Sequence, residues 1–361
     1  MPGAETPNSR PDYGDDDVPG VRPRRPTIAD VAARAGVSSA AVSFAMNGRP
    51  GVGEATRKRI LVAAEELGWR PSVHARALTE ARARTIGLLL ARPTAQLEVD
   101  PFFVRFLAGV ERTLARSDHA LLLRVMDAED GVDLAAYERL AAASRVDGFL
   151  LTDVELDDPR FALLAGTGLP VVVAGHPVSP CPFPSVETEH ARGMTAVVDH
   201  LLSLGHRRLA FVGGPARYEH VQARLKVWRV TLAAAGLEPG AVAHAEFPDP
   251  SGAAATARLL AAPQRPTAIV FGSDQLAAAG LATARERGID VPGELSITGF
   301  DDSPLAALAS PPLTSVRVDY ARFGEVAAAT LLAAIAGEPP PAFQPAPPEL
   351  VVRGSTAQVG G

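Results

Sequence analysis

The chain has 361 residues, enough for two or three domains with their own cores. Its 47% apolar and 21% charged content is that of an ordinary globular protein, and no stretch supplies the roughly 18 uninterrupted apolar residues of a membrane helix. A single cysteine, Cys181, excludes an internal disulfide and fits a reducing compartment, and the eight histidines show no spacing that would hold a metal.

The net charge of −6 is unevenly spread. Residues 1–21 hold one Arg against five acids, and residues 22–84 hold twelve Lys and Arg against five Asp and Glu, which leaves −9 for residues 85–361. A basic module on an acidic body is the footprint of a protein that grips phosphates with one end, although a basic solvated face alone would look the same.

Residues 1–25 combine Pro, Gly, a run of three Asp and an Arg22-x-Arg24-Arg25 cluster, the composition of a disordered, soluble tail. They contain no basic-then-apolar signal segment, so a cytoplasmic location is expected. Residues 26–70 read as a helical head. Thr27-x-x-Asp30 is a capping box, and Ile28, Val31, Ala32 and Ala35 share one face of the helix it opens. Gly36 suits the left-handed residue that ends a helix, and Ser38 can cap a second one over Ser39–Asn47.

Two helices joined by so short a Gly-containing turn predict a helix-turn-helix. Val42, Ala45 and Met46 would pack inward, while Ser39, Ala40, Ser43, Phe44 and Asn47 would face a major groove. A third helix, about Glu54–Leu67, carries Ile60, Leu61, Ala64 and Leu67 as its inner stripe, and Gly68 stops it. Residues 71–84 follow as a hinge: Val73-His74-Ala75-Arg76-Ala77-Leu78 is too short to be a stable helix alone, and Leu78 has the size of a minor-groove wedge.

From Thr85 the pattern changes. Apolar runs at Ile86–Leu90, Leu121–Val125, Gly148–Leu151, Val171–Ala174, Leu209–Val212, Ala268–Phe271 and Ser296–Phe300 predict strands. Helical stretches alternate with them: Phe103–Arg116, Leu134–Ala143, Met194–Leu204, Arg224–Ala235, Gly252–Ala262 and Gln275–Arg287. Such alternation implies parallel sheets covered on both faces, in two tandem units of about 85–186 and 187–317. The cleft between them, at the carboxyl ends of the strands, is the expected ligand site.

The order helix-turn-helix, third helix, ELGWRPS, ARAL and TIGLLL resembles the LacI/GalR family of bacterial transcriptional repressors, over about Thr27 to Gly354. The resemblance implies an N-terminal all-α helix-turn-helix head with a hinge helix, and a C-terminal α/β two-lobed periplasmic-binding-protein-like core with parallel sheets. Lobe 1 would span about 85–186 and 318–347, lobe 2 about 187–317 and 348–354, with 355–361 a tail.

The resemblance also implies a ligand-responsive regulator, a homodimer on double-stranded palindromic operator DNA, and a sugar-like effector. It assigns base reading to Ser39, Ala40, Ser43 and Phe44, where most relatives have Arg at the last position. Thr27, Ser38, Asn47, Arg57 and Arg76 would hold phosphates or the hinge, and Leu78 would be the leucine inserted at the operator centre. For the effector it implies Phe102 and Phe103 in a turn Asp100-Pro101-Phe102-Phe103, Arg224, Ser273 (usually Asn), Asp301, and His176 beside Gly175, which replaces a common Asp.

Arg, Asp and an aromatic wall suit a polyhydroxylated ligand. The residues leave open a lobe-surface role for Arg224, helix capping for Asp301 and Asp302, and a protein partner or non-sugar ligand in place of a sugar. A solute-binding protein would leave the head idle. An α/β enzyme lacks support, because no phosphate loop, nucleophile elbow, cofactor motif or metal cluster is present.

Overall fold

The computed structural model describes residues 26–46, 48–69, 82–92, 101–126, 132–245, 251–342 and 346–359, and the chain divides into two compact units at Glu80/Ala81. Asn47, Arg76 and Leu78 lie outside the described residues.

The first unit is three helices: α1 (Ile28–Ala35), α2 (Ser39–Met46) and α3 (Glu54–Glu66). The start of α1 is closed by a capping box, Thr27 N–H donating to the Asp30 carboxylate at 2.7 Å and Asp30 N–H to Thr27 Oγ1 at 3.4 Å. Gly36 takes the left-handed conformation at φ 67° that ends the helix, and Ser38 Oγ accepts from Ala41 N–H at the start of α2. Val31, Ala32, Val42, Ala45, Ile60, Ala63 and Ala64 form the buried core, with Trp69 against it. Leu61, expected on the inner stripe of α3, is exposed. The buried face centres on Ile60, and the next residue is turned by about 100° on a helix of 3.6 residues per turn.

The second unit holds two parallel sheets. One has the order β2-β1-β3-β4-β5, built from β1 (Thr85–Ala91), β2 (Ala120–Met126), β3 (Gly148–Leu151), β4 (Val171–Ala174) and β5 (Ser185–Val186). The other has the order β7-β6-β8-β9, from β6 (Leu209–Gly213), β7 (Val242–His244), β8 (Ala268–Phe271) and β9 (Ser296–Thr298). β9 ends at Thr298, short of the Phe300 expected from the apolar run.

Helices α4 (Pro101–Arg116), α5 (Leu134–Ala142) and α6 (Pro159–Ala165) belong to the first lobe. The second contains α7 (His190–Ser203), α8 (Glu219–Ala234), α9 (Ser251–Leu260), α10 (Asp274–Glu286) and the short α11 (Pro304–Leu308). The antiparallel pair β10 (Ser315–Arg317) and β11 (Glu349–Val351) packs on α7. Between those two strands α12 (Tyr320–Ala336) returns to the first lobe and packs on α4, β3, β4 and β5. The chain thus passes between the lobes three times.

Two glycines let α12 and α4 touch backbone to backbone. A Cβ at Gly324 would sit 2.1 Å from the Phe106 carbonyl oxygen, and one at Gly109 would sit 1.9 Å from that of Ala321. Residues 355–359, read from sequence as a tail, are instead tied into lobe 2. Ser355 Oγ donates to the Ile297 carbonyl at 2.6 Å, and Val359 N–H donates to the Leu204 carbonyl. Backbone groups at a chain end that find partners in a sheet and a helix terminus become part of the domain. Among the described residues no single helix is long and apolar enough to cross a membrane.

Candidate effector cleft and nucleic-acid interface

The carboxyl ends of the strands of both sheets converge on one cleft with about 910 Å³ of empty space, part of it open to solvent. Each strand delivers its residues as it ends: β1 leads to Arg92, β3 to Asp153, β4 to Gly175, β6 to Gly213 and Gly214, and β8 to Gly272 and Ser273.

On the lobe 2 side Arg224, five residues after the first residue of α8, is buried. Its guanidinium carbon lies 3.9 Å from the centroid of the Phe300 ring, Nη1 donates to the Gly272 carbonyl, and Nη2 is 3.8 Å from Asp301 Oδ1. Asp301 Oδ1 accepts from the Tyr320 hydroxyl at 2.6 Å. Asp301 and its neighbour Asp302 both have positive φ, 109° and 47°. Asp302 instead accepts from Arg317 Nε at 2.7 Å, at the end of β10, and from Arg353 Nη2 at 2.6 Å, two residues beyond β11. Adjacent carboxylates therefore serve the cleft and the lobe connection. Ser303, not Asp301 or Asp302, occupies the N-cap of α11.

On the lobe 1 side Arg92 and Asp153 form a two-pronged ion pair, Nε to Oδ2 at 2.7 Å and Nη2 to Oδ1. The guanidinium also lies over Phe103 and over Tyr218 of lobe 2, 4.9 and 5.5 Å from their centroids. Burial works against ionisation of Asp153, but Arg92 prevails and holds the carboxyl below its usual range. A backbone clasp joins the lobes beside this pair: Leu156 N–H donates to the Arg217 carbonyl and Glu219 N–H to the Val154 carbonyl, each at 2.9 Å.

The sequence-expected effector residues are placed as follows. Phe102, Arg224, Ser273 and Asp301 line the cleft. Phe102 meets Tyr320 edge-to-face at 4.9 Å, which builds the aromatic wall. Ser273 also caps α10, its Oγ accepting from Leu276 N–H at 3.3 Å. Phe103 does not line the cleft: at 3% exposure it belongs to the core, because Pro101–Phe103 is the first turn of α4 rather than a loop turn. His176 also lies off the cleft and pairs its Nδ1 with Glu187 at 2.7 Å on the surface.

Sequence reasoning missed Arg92, Asp153, His190, His220, Gln275 and Tyr320, all of which line the cleft. Burial first, then Arg224, lowers both imidazoles, His190 well below its usual value and His220 to about 3. Among the described residues no three His, Cys, Asp or Glu converge as a metal set.

In the head, Ser39, Ala40 and Phe44 of α2 are exposed on one side and Ser43 is half-buried, while Val42 and Ala45 are buried on the other. Thr27 and Ser38 are occupied in capping, and Arg57 Nη2 donates to the Arg49 carbonyl at 3.3 Å. The outer face of α2 thus presents small and apolar side chains.

A helix-turn-helix unit on one chain with a two-lobed, cleft-bearing α/β unit defines a DNA-binding regulator with a sensor domain. Comparison with known proteins agrees. Residues 27–72 match the family described as bacterial regulatory proteins, lacI family, and residues 198–356 match the periplasmic binding protein-like domain. The HTH-type transcriptional regulator reg1 of Streptomyces lividans is 35% identical over 349 residues, covering 92% of this chain and 97% of its own.

Among solved structures, a transcriptional regulator CelR–cellobiose complex is 31% identical with a TM-score of 0.68. A Lac repressor dimer bound to operator and the anti-inducer ONPF is 25% identical with a TM-score of 0.78. Each comparison covers 92% of this chain and 100% of the other. The chain belongs to the LacI family of transcriptional regulators.

Proposed function

We propose that the protein binds a palindromic operator as a homodimer and is switched by a small polyhydroxylated effector, a sugar, held in the interlobe cleft. The observation that carries this reading is the meeting of Arg224 and Asp301 over an aromatic floor in a cleft built by strand ends of both lobes. Paired hydroxyls are met there by charge-assisted hydrogen bonds and an apolar sugar face by Phe102. The related CelR is known in complex with cellobiose, which supports a sugar.

Effector binding shifts the angle between the lobes, and in a dimer this draws the two hinge segments together or apart, which changes operator affinity. Ser39, Ala40, Ser43 and Phe44 face the bases. Thr27, Ser38, Asn47, Arg57 and Arg76 position the head on phosphates, and Leu78 wedges the operator centre. A second copy has a surface to use: β2 is an edge strand whose Leu123 and Val125 are exposed.

Titration of a labelled palindromic duplex with the full chain, with and without sugars, tests the reading. Operator binding that no sugar alters, from a chain that sediments as a monomer, refutes it. Leu123→Lys with Val125→Glu should convert the dimer to monomer and abolish tight operator binding.

A further inference from the structure

Neither base reading nor effector binding uses the groove between α1 and α3 of the head. Arg34 and Ala35 of α1 line it, with Ala55, Lys58, Arg59 and Val62 of α3. Helix α2 contributes nothing to it. Val62 and the adjacent Leu61 are 46% and 48% exposed, so apolar surface faces water here beside cations. Glu66 is the one carboxylate among the described lining residues, and Arg34 holds it at 2.7 Å. Lys58 and Arg59 are exposed, and neither has a carboxylate partner among the described residues. The groove thus carries two surplus positive charges.

The opposite charge stands immediately before the head. Residues 1–21 hold five acids against one Arg, and four of the five fall in Asp12-Tyr13-Gly14-Asp15-Asp16-Asp17. These residues lie outside the described ones. Thr27 is ten residues after Asp17, a length that reaches up to about 35 Å, while Arg34 stands about 10 Å along α1 from Thr27. The groove is therefore within reach, and the tether holds the acidic segment there at about millimolar effective concentration. Exposed ion pairs are weak one by one, so the tether and the number of charges decide. Tyr13 supplies a ring for the apolar floor between carboxylates for Lys58 and Arg59.

We propose that Asp12–Asp17 seats on the α1–α3 groove of its own head and, by laying carboxylates beside the DNA-binding unit, weakens non-specific DNA binding. The seat follows from the charges of the chain. Its effect on DNA rests on the reading of the head as operator-binding.

The full-length protein allows a direct test, because it has only two lysines, Lys58 in the groove and Lys226 on α8. A water-soluble carbodiimide joins a carboxylate to an amine that touches it. Peptide mapping of wild type should find Lys58 linked to Asp12 or Asp15–Asp17, with Lys226 free of these acids. Mixing isotope-labelled with unlabelled chains should show the link within one chain. Lys58 linked to head acids alone, or tail links found only between chains, overturns the seat.

The second measurement titrates a short duplex of random sequence by anisotropy. One variant neutralises the tail with Glu5→Gln, Asp12→Asn, Asp15→Asn, Asp16→Asn and Asp17→Asn. It should bind about tenfold tighter than wild type at low salt, and the gap should close at high salt, where exposed charges are screened. Lys58→Gln with Arg59→Gln should shrink the gap between acidic and neutral tails, as coupled sites do in a double-mutant cycle. An unchanged affinity in the neutral-tail variant, or a gap that survives loss of both groove cations, overturns the proposal. So does a salt slope flatter by about two units in the groove variant carrying the neutral tail, which would seat the phosphate backbone there instead. If neither tail form binds any duplex, the DNA reading of the head falls, and with it the effect on DNA, while the Lys58 link still decides the seat.

Discussion

Arg224 sits over Phe300, its guanidinium carbon 3.9 Å from the ring centroid, while its Nη1 donates to the Gly272 carbonyl. Only a planar, delocalised cation makes both contacts at once. Lys at this position keeps the charge but loses the stacking and the fork, so Arg224→Lys should behave closer to Arg224→Ala than to wild type. The expected outcome is a loss of about 10- to 100-fold in affinity for any sugar the wild type binds, read by calorimetry. A Lys variant with wild-type affinity would show that charge alone matters there.

Asp153 and Arg92 form a buried pair, and removing one partner of such a pair costs about 3–5 kcal/mol. Asp153→Ala should therefore lower the urea midpoint of the sensor unit more than any single cleft substitution. Its pH signature follows from linkage. The folded carboxyl ionises below its ordinary range, the unfolded one near about 3.9, so the stabilisation is complete above the unfolded value and drains as pH falls toward the folded one. Wild type should lose stability below about pH 4 more steeply than Asp153→Ala. Parallel acid limbs in the two proteins would contradict the assignment.

Much of the fold is legible in the sequence because buried parallel strands are unbroken apolar runs: Gly148–Leu151, Val171–Ala174 and Ala268–Phe271 end where the runs end. The longest helix among the described residues, α12, is not legible in the same way. Its YARFGEVAAATLLAAIA buries eight residues on a wide face and is rich in Ala, so it shows little contrast between two sides. Strands β5, β7, β10 and β11 have two or three residues each, too few for a period.

The site divides by the same logic. Arg224 and Asp301 sit in recognisable local motifs. Arg92, Asp153, His190 and His220 come singly from the ends of four different elements, and only the fold brings them together. Leu61 shows the opposite failure, an apolar residue one position off the buried stripe that sequence assigned inward.

The crossing of α12 on α4 depends on Gly324. A methyl there would lie 2.1 Å from the Phe106 carbonyl oxygen and 3.1 Å from Val110 N, backbone atoms that cannot rotate away. Ala is the better helix former by about 1 kcal/mol, but overpacking a tight crossing costs about 1–3 kcal/mol or more. Gly324→Ala should thus destabilise on balance and lower Tm by several degrees, with the helices pushed apart. A raised Tm would mean that the helices separate freely and that the close approach is not required.

The base-reading role proposed for Phe44 is separable from phosphate grip by its salt dependence. It is 40% exposed on α2, and its ring edge lies 3.6 Å from where a Cβ on Gly51 would stand, so it packs lightly on the following loop. Truncating an exposed side chain of this kind changes stability by about 0.5 kcal/mol or less. An apolar contact with a thymine methyl carries no charge, so its loss weakens binding without releasing fewer counterions.

Phe44→Ala should therefore reduce operator affinity about tenfold with an unchanged slope of log affinity against log salt. Arg57→Ala should reduce affinity across all sequences and flatten that slope by about one unit per head, the mark of one lost phosphate contact. Phe44→Arg should bind more tightly than Phe44→Ala and shift preference toward guanine at the contacted step. Anisotropy titrations of the three variants at four salt concentrations decide the matter: a changed slope in Phe44→Ala, or an unchanged one in Arg57→Ala, would show that these two side chains do not divide the work between base and backbone in this way.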